Sequence, residues 1–152
     1  MTTMTEQATQ VYSVFIRATP EQVWDGITKP EFTTRYFHGT KIDSTFEPGA
    51  PYLSVAGEGG DTVVDGEVLE SDPPRLLKHT WRALYDPETA SEPHSRVTWE
   101  IEPQEGGVTK LTVTHDQLEA APKTAVSVAG GWSYVLSGLK TLLETGEPLE
   151  SA

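Results

Sequence analysis

The chain has 152 residues, with 11 Lys+Arg against 23 Asp+Glu for a formal charge of −12, and no Cys. The acidic balance and the lack of any Arg/Lys cluster exclude a nucleic-acid surface, whose affinity comes from cations that release counterions from phosphates; the lack of Cys removes disulfides, thiolate catalysis and Cys-type zinc or iron–sulfur ligation. The opening segment MTTMTEQATQ has neither a basic n-region nor an apolar h-region, and no apolar run approaches the ~18 residues of a membrane span, so the expectation is a cytoplasmic protein that engages no membrane.

Residues 1–9 are expected to form a disordered end, 10–146 one domain, and 147–152 a tail. The β-branched and aromatic residues between Gln10 and Arg17 predict a strand. Thr19-Pro20-Glu21-Gln22 follows, with Thr at the N-cap, Pro at the first helical position and Gln three residues after the cap. This is a capping box, and it predicts a short helix that stops at Lys29-Pro30. A second short helix is predicted from Pro30 to Phe37, with Gly39 as its stop. From Thr40 to Asp116 the breakers Pro48-Gly49, Gly57-Glu58-Gly59-Gly60, Asp72-Pro73-Pro74 and Glu105-Gly106-Gly107 divide Val/Thr/Leu/Trp-rich pieces. They predict strands near 40–47, 51–56, 61–70, 75–84, 95–103 and 107–116. The short connections imply an antiparallel meander, because parallel crossovers need a dozen or more residues. Residues 85–94 are expected as an exposed hairpin loop. Ala129, Trp132, Val135, Leu136, Leu139, Leu142 and Leu143 recur at steps of three and four, which predicts a long amphipathic helix from about Pro122 to a Gly146 stop.

The order of strand, two small helices, six strands and long terminal helix is that of the helix-grip fold. It is an α+β architecture in which a curved antiparallel sheet wraps a C-terminal helix. Three separated stretches carry a closer resemblance: Thr19-Pro20-Glu21-Gln22-Val23-Trp24 with Thr28-Lys29-Pro30-Glu31; Pro73-Pro74-Arg75-Leu76-Leu77-Lys78-His79-Thr80-Trp81; and Gly130-Gly131-Trp132 with the Val135–Gly146 segment. In order and spacing they resemble the family of proteins similar to the activator of Hsp90 ATPase, over about Gln10 to Gly146. The resemblance implies the wider START/polyketide-cyclase-like (Bet v 1-like) superfamily, whose members hold apolar ligands between the sheet and the long helix. It does not imply one activity.

Strand alternation places candidate cavity residues. In 76–84 the charged Lys78 and Arg82 belong outside, so Leu77, His79, Trp81 and Ala83 face inward. By the same reasoning Val97, Trp99 and Ile101, and then Leu111, Val113 and His115, face inward. His79 and His115 are therefore either polar anchors or acid/base groups in an apolar cavity, or buried histidines satisfied by a hydroxyl or backbone partner. Tyr36, Phe37 and His38 end the second helix, where they either gate a cavity mouth or pack helix on sheet. His94, beside Pro93, is expected in solvent. Gly130-Gly131 costs about 0.8–1.0 kcal/mol per glycine in a helix, so the helix either bends there, with Trp132 and Tyr134 at a cavity rim, or begins there. With Leu136 from the same stripe, the ligand-binding candidates are Tyr36, Phe37, His38, Leu77, His79, Trp81, Trp99, Val113, His115, Trp132 and Leu136.

Asp65 and Glu67 alternate with Val64 and Val68, which places them outside as a solvated face. Ser13, Ser54 and Ser95 lack a nucleophile elbow, and no phosphate loop or dinucleotide fingerprint is present. No metal site, cofactor or catalytic residue is expected. Three readings follow: binding of an apolar or aromatic, neutral small molecule; a protein-interaction module resembling the Hsp90-activating domain, with a chaperone or other protein as partner; and a cyclase- or hydratase-type enzyme using a cavity histidine. Monomer and homodimer both remain open, and no apolar stripe is left over to decide between them.

Overall fold

Strand β1 (Gln10–Ile16) leads into helix α1 (Pro20–Thr28) through the capping box that the sequence encodes. Thr19 Oγ1 accepts from Gln22 N at 3.1 Å and Gln22 Oε1 accepts from Thr19 N at 2.8 Å, so two of the unpaired donors at the helix start are satisfied reciprocally. The computed structural model describes residues 8–56 and 60–149. Most of the predicted end 1–9, the tail residues 150–152, and Gly57-Glu58-Gly59 of the predicted glycine turn lie outside the described residues.

After α2 (Pro30–Tyr36) come β2 (Thr40–Asp43), β3 (Pro51–Ala56), β4 (Thr62–Asp72), β5 (Leu76–Ala83), a short α3 (Pro87–Ala90), β6 (Ser95–Pro103), β7 (Thr109–Asp116), α4 (Pro122–Val128) and α5 (Gly131–Thr145). The seven strands form one antiparallel sheet in the order β1-β7-β6-β5-β4-β3-β2, so the meander is closed at one side by the first strand pairing with the last. Lys140 on α5 donates to the Phe15 carbonyl at 2.7 Å, which satisfies an acceptor on the outer edge of β1. Together these elements are the helix-grip fold.

In β5, β6 and β7 the buried residues are those that alternation selects: Leu77, His79, Trp81 and Ala83; Val97, Trp99 and Ile101; Leu111, Val113 and His115. They form the main core with Val23 and Ile27 of α1, Tyr36 and Phe37, and Trp132, Val135, Leu136, Leu139 and Leu142 of α5. Close helix packing depends on a glycine. A Cβ at Gly138 would stand 3.2 Å from Tyr36 Cβ, so the bare α-carbon lets α5 approach the end of α2.

Three boundaries differ from expectation. The strand predicted at 40–47 stops at Asp43, because Glu47-Pro48 turns the chain and Ala50 N donates to Glu47 O at 2.9 Å. The loop predicted at 85–94 contains α3, whose N-cap Asp86 accepts from Glu88 N. The terminal helix is not continuous from 122. Gly130 adopts φ 82, a left-handed conformation open chiefly to glycine, and α5 begins at Gly131. The 15 residues of α5 therefore span about 22 Å rather than the whole length of the sheet.

Candidate functional site

The break at Gly130 changes what lies beneath it. α4 buries its Ala125 with Leu118 and Ala121 in a small cluster separate from the main core, and Val128 is its contribution to the main core. Its N-terminus is held by the β5–β6 connection. Glu92 accepts from Lys123 N at 2.9 Å, Thr124 N at 2.7 Å and Thr124 Oγ1 at 2.8 Å, which replaces the absent side-chain cap. Lys123 also pairs with Glu88, and Tyr85 Oη shares a 2.8 Å hydrogen bond with Ser127 Oγ.

Between this strapped segment and the sheet lies a cavity of about 410 Å³. Phe37, Trp81 and Trp132 form an aromatic wall. Phe37 and Trp81 are stacked at 6.4 Å between ring centroids, and Trp132 stands 5.5 Å from Trp81 and edge-on to Phe37 at 5.9 Å. Val63, Val64, Val128 and Val135 supply aliphatic surface, Thr40, Ser54 and Ala56 complete the β2–β3 side, and His38, Tyr85 and Ser127 stand exposed at the rim. Among the described residues, no Asp, Glu, Lys or Arg lines the cavity. Its size and apolar lining are those of small-molecule sites, which generally span ≈ 300–1,000 Å³.

The two inward histidines lie deeper and outside this lining, both fully buried. An indole N–H can only donate, so each tryptophan bonded to a histidine fixes that ring's tautomer. Trp99 Nε1 donates to His79 Nε2 at 3.0 Å, which leaves His79 Nδ1–H to donate to the Thr80 carbonyl at 2.9 Å. The same ring stacks on Tyr52, with centroids 3.6 Å apart. Trp132 Nε1 donates to His115 Nδ1 at 3.1 Å, so His115 Nε2–H donates to Ser95 Oγ at 2.7 Å, and Ser95 Oγ donates on to the Trp81 carbonyl at 3.2 Å. Burial pushes the His79 pKa down to about 4. Burial, then repulsion from His79, pushes that of His115 down to about 3. Both rings are neutral with both nitrogens engaged inside the protein. Neither can exchange a proton with a molecule in the cavity without breaking these bonds.

Among the buried polar atoms of the described residues, Thr33 Oγ1, Tyr52 Oη and Trp81 Nε1 have no hydrogen-bond partner, and Trp81 is the one of the three residues that lines the cavity. Of the residues predicted from sequence, Phe37, His38, Trp81 and Trp132 line the cavity. Tyr36, Leu77, His79, Trp99, Val113, His115 and Leu136 are buried in the core beside or beneath it. Tyr134 is 41% exposed on the outer side of α5 and takes no part in the wall. The lining residues missed are Thr40, Ser54, Ala56, Val63, Val64, Tyr85, Ser127, Val128, Gly131 and Val135. The alternation of Val64 with Asp65 carried a signal for one of them, whereas the Tyr85 and Ser127 positions follow only from how the β5–β6 connection meets α4.

Outside the sheet, Asp65 accepts two bonds from Arg82, at 3.1 and 2.7 Å, and lies 3.0 Å from Nε2 of the exposed His94. It is a solvated cluster on the outer face, as alternation implies. No group of three or more His, Asp or Glu suited to a metal ion exists among the described residues, and no helix among them is long and apolar enough to cross a membrane.

Residues 17–144 match the family described as Activator of Hsp90 ATPase homolog 1-like protein. No curated protein sequence matches the chain. Solved structures share its fold. CalU16 from Micromonospora echinospora is 24% identical with a TM-score of 0.70, covering 92% of this chain and 76% of its own. The Aha1 dimer from Colwellia psychrerythraea is 17% identical with a TM-score of 0.70, covering 91% and 97%. PFC0360w, an HSP90 activator from Plasmodium falciparum, is 20% identical with a TM-score of 0.71, covering 90% and 96%. At these identities the likeness is one of fold.

Proposed function

The chain belongs to the Activator of Hsp90 ATPase homolog 1-like family, with the helix-grip fold of the START/polyketide-cyclase-like superfamily, and from that premise we propose that it binds a small, neutral, largely apolar molecule in the cavity between the sheet and the C-terminal helices. The observation that carries this is the cavity's lining: the rings of Phe37, Trp81, Trp132 and, at the rim, Tyr85, with four valines, and no Asp, Glu, Lys or Arg among the described residues of its walls. A charged ligand would lose its hydration there without a counter-charge, whereas an aromatic one gains contact on several sides. The −12 charge belongs to the coat of the molecule and not to this interior.

The test is titration with a neutral naphthylamine dye that fluoresces in apolar surroundings, together with native mass spectrometry of protein from its own host. Saturable binding that Val64→Phe abolishes, with the variant still folded, is expected. Absence of saturable binding, or binding unchanged by Val64→Phe, would sink it.

A second reading is favoured by the family match itself. A protein-interaction role would use the outside, where Val11 is 58% and Phe15 53% exposed on the outer face of the first strand. Stimulation of a purified Hsp90 ATPase, lost in Phe15→Ser, is the expected outcome under that role, which also places the chain in the cytoplasm as a monomer or homodimer. No stimulation and no association would remove it.

A further inference from the structure

The buried hydroxyls of this protein end in two ways. Thr28, Thr40, Thr89, Ser95, Thr109 and Thr124 each have a hydrogen-bond partner within the chain, between 2.6 and 3.2 Å away. Thr33 and Ser54 have none among the described residues. Thr33 Oγ1 is sealed from solvent and cavity alike, as is Trp81 Nε1. Ser54 is not: it is 3% exposed, and the surface left to it opens on the cavity it lines. Its direction follows from β3, where Tyr52 and Ser54 alternate inward. The registers set Ser54 between Ile42 of β2 and Val64 of β4, both buried aliphatic residues with nothing to offer a hydroxyl. Directly beyond Ser54 the β3–β4 register shifts, and this bulge brings Val63 onto the cavity wall beside Val64, although consecutive strand residues ordinarily face opposite ways. The other hydroxyls of the wall are engaged: Thr40 gives its proton to the Phe37 carbonyl at 2.6 Å, and those of Tyr85 and Ser127 bond each other at the rim.

We infer that Ser54 is the polar anchor of this cavity, and that the molecule held there carries one uncharged oxygen function, a hydroxyl or a carbonyl, on its buried part to pair with the Ser54 hydroxyl. This rests on the ligand-binding role proposed above and narrows its ligand class from apolar molecules at large to neutral alcohols, phenols and ketones. A serine hydroxyl both donates and accepts, so it serves either group. A pure hydrocarbon would cover the hydroxyl and leave it unpaired, which is unfavourable. An ionised group would need a counter-charge that the described lining does not supply.

The experiment compares a naphthol with the methylnaphthalene substituted at the same ring carbon, two neutral probes of nearly equal shape that differ in hydroxyl against methyl. Each is titrated by calorimetry against the whole chain, its Ser54→Ala variant and its Val64→Phe variant. Both probes are expected to bind the native chain and to lose that binding in Val64→Phe. The ratio of naphthol to methylnaphthalene affinity should fall about fivefold in Ser54→Ala, the worth of one neutral hydrogen bond. No described group of the chain bonds this hydroxyl, so Ser54→Ala should leave the midpoint of urea unfolding unchanged or raise it. A ratio unmoved by Ser54→Ala, or a lowered urea midpoint showing that the hydroxyl serves the fold, overturns the anchor and leaves the cavity role standing. If neither probe binds, the cavity role falls and takes this inference with it.

Discussion

The interior has two ends built from the same residue types. At the packed end, under α1 and α5, Tyr52, His79, Trp99, Leu77 and Val113 fill the space against the helices, and both histidines have each ring nitrogen bonded. At the other end, beneath the α4–α5 break, Phe37, Trp81 and Val64 line a cavity of about 410 Å³; each end also keeps one unpaired aromatic polar atom, Tyr52 Oη and Trp81 Nε1. Aromatic content does not separate them. What separates them is the cover: α5 lies directly on the sheet, with Gly138 admitting Tyr36, whereas α4 packs on its own cluster and is tied down by Glu92, Glu88 and Tyr85 of the β5–β6 connection. A fold that must both hold together and receive a molecule can divide those tasks along one sheet.

The sharpest way to test that division is acid. His79 and His115 have folded pKa values near 4 and 3, below the unfolded value near 6.5. Between those values the unfolded chain binds protons that the folded chain refuses, so stability is full above about pH 6.5 and falls as the pH drops. At full slope each histidine contributes about 1.4 kcal/mol per pH unit; the unfolded rings are only half protonated at the upper end of the interval, so urea denaturation should show a loss of about 3 kcal/mol between pH about 6.5 and about 5. Carboxylates such as Asp65, whose pKa is lowered chiefly by its Arg82 bonds, titrate below that interval and do not blur it. A flat stability profile there would show that the packed end is not sealed.

Equal insertions at the two ends should give unequal results. Val113→Phe overpacks a fully buried site and is expected to cost about 1–3 kcal/mol. Val64→Phe, whose added ring has the cavity to enter, should cost less than Val113→Phe by denaturant titration. Equal losses would mean that the cavity end has no more room than the other. Glu92→Ala removes the remote cap of α4 and should destabilise by about 1 kcal/mol; faster amide exchange in α4 than in α5 is the accompanying signature, and uniform exchange would show that the two helices act as one. The smallest effect belongs to the outer face. Asp116→Asn weakens the paired bonds from Arg96, at 2.9 and 2.6 Å, and should cost about 0.5 kcal/mol, shrinking in high salt. A loss as large as that of Val113→Phe would contradict the contrast between coat and core.

Much of the packed end was legible in advance. Lys78, Arg82, Glu100, Glu102 and Lys110 mark the outer faces of their strands, and period-two geometry then forces their neighbours inward. The partners of those inward residues were not legible. Ser95 reaches His115 because the registers place Ser95 opposite Trp81 and Val97 opposite His115, and register is a property of three strands at once. The Trp132–His115 bond depends besides on where α5 sits. Thus the histidines were recognisable as inward residues, while their settlement by Trp99, Trp132 and Ser95 was not. The cavity wall was less legible still, since its members come from β2, β3, β4, β5, α4 and α5 and from the α2–β2 and β5–β6 connections.

The sequence by itself determined the order of elements, the capped helix at Thr19 and the faces of the central strands, because each rests on neighbours a few residues apart: a cap and its third residue, an alternation, a three-four stripe; the family it carried in three separated stretches whose order and spacing agree. It also contained the interruption at Gly130-Gly131, but not its consequence. That α4 would turn aside onto Leu118 and Ala121, leaving Trp81 with an unpaired donor beside a cavity, was decided by the tertiary structure alone. A void is the space that distant segments fail to fill, and no local pattern encodes a failure shared among so many of them.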